Sequence, residues 1–382
     1  MIFQDRQSSI MRSGKLLLLV FCAGFFVGCK TLASQSDTGV VVARRAQIRS
    51  STAVVAADLL EVNRGDAVDI LDSVDVSDPT DNSRRERWFR VRAYDDESTE
   101  GWIEARNIML QEVLEASRNI AAEEKDIAAQ ATGQLRASSN LRLTPDRSGN
   151  ENILMRLDSG SSFEIVGWQR VPKPGSSDSI ESDVAPKAGS AEPGTSGRVN
   201  QTNGAPEDEN ELWYKVRLLP SISPAPAGWI YGKQVELTVP SDIIFYRTGR
   251  EFVAWQRLDA DPDADGVPSG KDAAREAKPG SWVILEKSSS NQPRAIDEPD
   301  FDRIYVVGYD KRNQDHYTAY RSPDLKGFLP LKLEGRGEEK TFTVRIDEKG
   351  VVKENQFVVY KDSRGILRVT PPASASRERR RR

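Results

Sequence analysis

Apolar residues in this chain come mostly in short runs that alternate with polar positions and are cut by Gly, Asp, Asn or Pro, the pattern of strands and turns. One set of landmarks occurs twice in the same order. Ile48-Arg49 matches Leu141-Arg142, and Gly65-Asp66-Ala67-Val68-Asp69-Ile70 matches Gly160-Ser161-Ser162-Phe163-Glu164-Ile165. Trp88-Phe89-Arg90-Val91-Arg92 then matches Trp213-Tyr214-Lys215-Val216-Arg217, and Gly101-Trp102-Ile103 matches Gly228-Trp229-Ile230. A repeat whose landmarks keep their order predicts two copies of one structural unit. Short strands broken by turns predict that each unit is a small barrel, over residues 40–110 and 133–239.

Between the copies the period changes. Val113, Ser117, Ile120, Glu124, Ile127 and Ala131 recur at three-four spacing with no Gly or Pro among them. This predicts an amphipathic helical linker over 105–132, ended by Gly133. Its expected role is packing against a barrel, with dimerisation as the alternative. Beyond Pro240, strand-like runs at 243–246, 252–255, 282–285, 304–307, 317–320, 342–346, 357–360 and 366–369 predict a β-rich third domain over 240–371. Either a sandwich or a barrel fits them. The predicted fold class is therefore mainly β: two small barrels joined by a helix, plus a C-terminal β-rich domain.

The repeat resembles the bacterial SH3-like (SH3b) domain, which runs in the same order from an Asn- or Leu-Arg start and a Gly turn to a Trp-Tyr-x-Val strand and a Gly-Trp-Val/Ile close. The second copy keeps Thr144-Pro145, whereas the first, Ile48-Arg49-Ser50-Ser51, lacks the usual Pro. The resemblance implies barrels that dock cell-wall glycopeptide or protein peptides without catalysis.

Three stretches stand outside this pattern. Met11-Arg12-Ser13-Gly14-Lys15, an apolar run from Leu16 to Val27, and then Gly28 read as a secretory signal over residues 1–28. The run is too short for a comfortable membrane span, and Met11 is an alternative start. Phe26-Val27-Gly28-Cys29 resembles a bacterial lipoprotein lipobox, with Phe26 where Leu is usual. That resemblance implies an acylated Cys29 holding the protein to a membrane, at about 0.8 kcal/mol per buried CH₂. An ordinarily cleaved or uncleaved signal is the alternative. Residues 29–39 then form a tether. Residues 172–210, rich in Pro, Gly, Ser, Ala and Glu, predict a disordered insertion in the second copy, and 372–382 a basic disordered tail.

The net charge of −4 lacks the basic balance that a nucleic-acid partner needs. Cys22 and Cys29 are the only cysteines, so the body has no disulfide, thiol nucleophile or cysteine metal site.

Side chains alternate faces along a strand. With Tyr214, Val216 and Leu218 turned inward, Trp213, Lys215 and Arg217 share the opposite face. The first copy repeats this, with Phe89, Val91 and Ala93 opposed to Trp88, Arg90 and Arg92. These six outward residues are the candidate ligand-binding set, because Trp and Arg are enriched at interface centres. The alternative is that each Trp lids a barrel end or packs on the helix. Trp102 and Trp229 are expected to plug the barrels.

Asp261, Asp263, Asp265, Gly266 and Asp272 have the spacing of a calcium loop, with Pro268 where an aliphatic residue is usual. The alternative is a solvated acidic loop. No other cofactor is indicated, since no phosphate loop or dinucleotide fingerprint occurs. His316 is the only histidine, and its neighbours Asp315 and Tyr317 suggest an exposed turn. No Gly-x-Ser-x-Gly elbow accompanies it.

These readings predict a non-catalytic, lipid-anchored protein of the bacterial cell envelope, facing the periplasm or the exterior and binding peptidoglycan or an envelope protein. The alternatives are a wall hydrolase with its active site in 240–371 and a structural subunit of an envelope complex.

Overall fold

The structure is a computed structural model, described over residues 37–77, 85–174, 209–247, 249–259, 279–289, 294–335, 337 and 339–372. The signal segment, Cys29, most of the 172–210 insertion, the four candidate calcium ligands and the basic tail lie outside the described residues.

The duplicated landmarks fold into two sheets. The first comprises β1 (Asp37–Val41), β2 (Arg45–Arg49), β3 (Asp58–Asn63), β4 (Ala67–Ser77), β5 (Arg85–Ala93), β6 (Glu100–Glu104) and β7 (Ile108–Leu110). The second comprises β8 (Ala131–Leu135), β9 (Ser139–Arg142), β10 (Ile153–Leu157), β11 (Ser162–Pro172), β12 (Asn210–Arg217), β13 (Ala227–Tyr231) and β14 (Val235–Leu237). Their strand orders, β3-β2-β6-β5-β4-β1-β7 and β10-β9-β13-β12-β11-β8-β14, are the same order seven strands on. Both sheets are antiparallel and curl into half-barrels. The registers also correspond. Ile70 faces Val91 and Ile165 faces Val216, and each ladder then skips one residue at a bulge, after Ile70 and after Ile165. Such a bulge sharpens the bend of a strand.

The landmarks have physical roles. Gly65 and Gly160 turn at φ +94° and +82°, where side chains are rarely tolerated. Gly101 and Gly228 pass close to β2 and β9, and a Cβ there would lie 2.6 Å from Arg49 O and 2.9 Å from Arg142 O respectively. The arginines of the aliphatic-Arg pairs hold the loop that follows each of them. Arg49 Nη2 donates to Val54 O (2.8 Å) and Ala56 O (3.2 Å). Arg142, fully buried, donates from Nη1 to Gly149 O and Asn152 Oδ1, both at 2.7 Å.

The linker departs from expectation. The helix, α1 (Gln111–Glu123), is shorter than the predicted 105–132. Residues 108–110 instead form β7, whose backbone pairs with β1. Residues 124–130 are turns, bends and irregular chain up to β8. Long-range pairing here overrides local helical preference. Leu114 and Ser117 are the buried positions of α1. The Ser117 hydroxyl donates to Ala227 O (2.6 Å) and accepts from Ala227 N (3.2 Å), pinning α1 to the second sheet. No helix among the described residues is long and apolar enough to cross a membrane.

The C-terminal region forms two four-stranded antiparallel sheets. One is β15 (Arg250–Arg257), β16 (Trp282–Ser288), β17 (Arg303–Asp310) and β18 (Asp315–Arg321), and the other is β19 (Gly327–Glu334), β20 (Lys340–Glu348), β21 (Val351–Lys361) and β22 (Leu367–Thr370). One expectation changes, and one strand was not expected. Residues 244–246 form a 3-10 turn, in which Tyr246 N bonds back to Ile243 O (3.0 Å) and Arg247 N to Ile244 O (3.3 Å). The edge strand β19 carries Pro330 inside it, a residue that argues against a strand on sequence grounds. The register slips between Phe328 and Lys332, so the ladder skips the proline.

Val283, Leu285, Ile304 and Val306 face Leu331, Phe342, Val344 and Phe357 across one core. The alternate residues Trp282, Ile284, Tyr305 and Val307 join a second core with Ile165, Val216, Ile230 and Leu114. The sheet β15–β18 is thus buried on both faces, which accounts for uninterrupted apolar runs such as Val283-Ile284-Leu285. Gln130, fully buried, fastens the junction. Its backbone N–H donates to Ile165 O and its carbonyl accepts from Trp255 N, both at 2.8 Å. Its side chain accepts from Leu331 N (2.6 Å) and donates to Leu331 O (3.0 Å).

Candidate functional site

The candidate set on β5 and β12 is corrected in part. Val216 and Val91 point into the cores as expected, at 0% exposure. Trp213 and Trp88, expected on an open outer face, are also buried, at 0% and 5%. For Trp213 the cause is visible. Its ring packs on Tyr231, 5.5 Å between centroids, and Arg147 from the β9–β10 loop lies over Tyr231 at 5.1 Å. Arg147 also forks Glu211, with bonds of 2.6–3.0 Å, fastening the loop over this face. The two indoles are therefore packing residues and do not form an open docking surface.

Their basic neighbours are engaged within the chain. Arg90 and Arg92 both bond Glu100, at 3.0 and 2.6 Å. The hydrogen bond from Arg92, the largest influence, lowers the Glu100 pKa, and the charge of Arg92 acts the same way. In the second copy Arg217 pairs with Glu164 at 3.0 Å, and Lys215 with Glu124 at 2.5 Å.

Lys215 nevertheless opens onto a cleft. A space of about 230 Å³ lies between the second sheet and the C-terminal sheets, lined among others by Trp168, Trp229, Lys215, Glu124, Asp300 and Arg345. Trp168 and Trp229 are half-buried, so each keeps accessible ring surface. The Trp168 indole donates to Asp300 Oδ1 at 2.7 Å, while Asp300 Oδ2 accepts from Leu329 N at 2.9 Å. Tyr214 packs edge-on to Trp168, centroids 6.2 Å apart. Lys215 Nζ sits 5.6 Å from the Trp229 ring centre. Arg345 donates to Leu329 O. Burial pushes the Tyr214 phenol up to about 12, so it stays neutral at ordinary pH. The cleft thus combines two held indoles with two cations and two carboxylates. It can stack a ring beside charged groups that the chain already pairs, Lys215 with Glu124 and both Asp300 oxygens with Trp168 and Leu329.

Of the residues singled out on the outer faces, the structure brings only Lys215 to this cleft. Trp229, expected to plug a barrel, lines it. Trp168 lies three residues past the Ile165 landmark and was not among the candidates. Asp300 and Arg345 carried no signal, because they reach the site only through tertiary packing.

His316 is not on an exposed turn. It lies on β18, its side chain 8% exposed, against the rings of Tyr246 and Tyr309. Its Nε2 lies 2.8 Å from Gly280 O, so Nε2 carries the proton. Asp242 stands 3.9 Å away and accepts from the Trp282 indole at 2.8 Å. These groups lock one another. Among the described residues no group of three or more His, Cys, Asp or Glu could hold a metal ion. The chain matches no protein-family model and no curated protein.

Proposed function

We propose that this chain is a non-catalytic binding protein of the bacterial cell envelope, anchored through a lipid on Cys29. In this reading its two half-barrel sheets are SH3-like barrels joined by α1. The tryptophan cleft receives a peptide-bearing cell-wall glycan. The single observation carrying the reading is the composition of that cleft. Trp168 and Trp229 offer stacking faces, and the Lys215–Glu124 pair, Arg345 and Asp300 set charged edges around them. A muropeptide presents the complementary groups: sugar rings, carboxylates and a free amine. The matching strand orders of the repeats support the barrel assignment.

The test is retention of the full chain, in detergent, on insoluble peptidoglycan. Trp229→Ala removes a cleft wall. Trp102→Ala removes the equivalent indole of the first copy, which does not line the cleft. Retention of wild type and Trp102→Ala, with loss in Trp229→Ala at an unchanged melting temperature, is the expected result. Equal retention of both variants would move binding away from the cleft. Clearing of the suspension without retention would replace the reading by that of a wall hydrolase.

A further inference from the structure

A second cleft, of about 440 Å³, lies between the two repeat sheets. Its lining includes Arg44, Arg64, Arg106 and Arg156, with Asp158 as the one carboxylate. A chain of net charge −4 has therefore gathered four guanidinium groups around one opening. The four come from both copies. Arg44 and Arg64 flank β2 and β3, Arg106 follows β6, and Arg156 lies on β10 of the second copy.

Internal bonds account for only part of this charge. Arg44 pairs with Asp158 at 3.1 Å, both side chains largely exposed. Arg106 bonds Glu104 at 2.5 Å. Arg64 donates from Nε to Val42 O (2.9 Å) and from Nη1 to Ile222 O (2.6 Å), bonds that fix its plane and bridge the two copies without neutralising it. Arg156 is exposed, and among the described residues no carboxylate pairs with it. Burial lowers the Arg64 pKa, and the nearby charge of Arg44 adds to this while Asp158 opposes it. Gathering like charges in a partly desolvated cleft is unfavourable until an anion enters.

We propose that this arginine-lined cleft is a binding site for a phosphoryl anion. The guanidinium fork matches phosphate oxygens in pairs, and Arg64 is held in place before any ligand arrives. The volume exceeds that of a bare phosphate and lies in the range of small-ligand sites. Lipid headgroups and soluble phosphorylated saccharides both present the group. The proposal does not depend on what occupies the tryptophan cleft.

The test is calorimetric titration of the full chain with inorganic phosphate and with pyrophosphate, at fixed ionic strength. A parallel arm measures co-sedimentation with vesicles of phosphatidylglycerol or of phosphatidylcholine. Arg44→Glu and Arg156→Glu reverse charges at exposed positions. Arg312→Glu does the same on the β17–β18 turn, away from the cleft. Arg64 is left intact because it also holds the fold. Saturable pyrophosphate binding is expected, weakened about tenfold or more by Arg44→Glu and Arg156→Glu and unaffected by Arg312→Glu. Binding of soluble anions without a vesicle preference assigns a soluble source. A phosphatidylglycerol preference that disappears in Arg156→Glu assigns a lipid headgroup. Absence of both, or binding that all three variants weaken equally, overturns the proposal.

Discussion

Replacing Gln130 by Leu tests whether one buried amide fastens the second repeat to the C-terminal sheets. The substitution puts an apolar side chain of similar reach in its place and removes both side-chain bonds to Leu331, together with the donation to the carbonyl of exposed Ala128 at 2.8 Å. The two ends of Leu331 respond differently. Its carbonyl keeps the donation from Gln256 Nε2 at 3.1 Å. Its buried N–H, which donated to Gln130 Oε1, is left without an acceptor. An orphaned buried donor costs about 1–3 kcal/mol, and burying a leucine returns only part of it, so a loss of about 2 kcal/mol is expected. Gln256→Leu is the matched control. It removes one of two donors to Leu331 O and a long donation to Ala129 O at 3.4 Å, and it also removes the Gln256 Oε1 acceptor, which has no partner among the described residues. Its cost should stay below about 1 kcal/mol. Urea unfolding of both variants gives the comparison, and amide hydrogen exchange at Leu331 locates it. Equal costs, or a Gln130→Leu cost below about 0.5 kcal/mol, would refute the assignment of Gln130 as the fastening.

The other predictions concern a loop, an ionisation and the two clefts. Arg142→Met orphans Gly149 O and Asn152 Oδ1; it should cost about 2–4 kcal/mol and expose the β9–β10 loop to limited proteolysis before the rest of the chain. The phenol of Tyr214, shifted from 10.0 to about 12, should be a late-ionising tyrosine in an ultraviolet titration. Its folded-state value is raised, so the stability it contributes is complete below pH 10.0 and is lost as pH rises through about 12; the alkaline unfolding profile checks this, and Tyr214→Phe should remove that component. Trp229→Ala should abolish peptidoglycan retention while Trp102→Ala does not. Arg44→Glu and Arg156→Glu should weaken pyrophosphate binding.

The sequence by itself determined the strands and their duplication. Side-chain alternation is a local property, so the period-two runs reported most strands whatever they later packed against. The landmarks of the repeat are local as well, a glycine where the backbone turns or passes close and an arginine that holds the next loop. Residues 282–285 and 304–307 were legible as strands from their unbroken apolar runs, while their burial on both faces emerged only in the packing. The ends of the helix and strand β19 were less legible, because pairing partners elsewhere in the chain set them.

Tertiary structure alone decided which outer faces stayed open. Trp213 shares a strand face with Lys215 and Arg217, and the sequence gives no reason to separate them. Arg147 and Glu211, 64 residues apart, fasten a loop over the face that carries Trp213, while Lys215 is left at a cleft. That cleft exists because Trp168 meets Asp300 across 132 residues. The arginine-lined cleft likewise needs both copies side by side. Alternation states which side of a strand a residue occupies. What lies against that side depends on contacts between distant segments, and no local pattern encodes them.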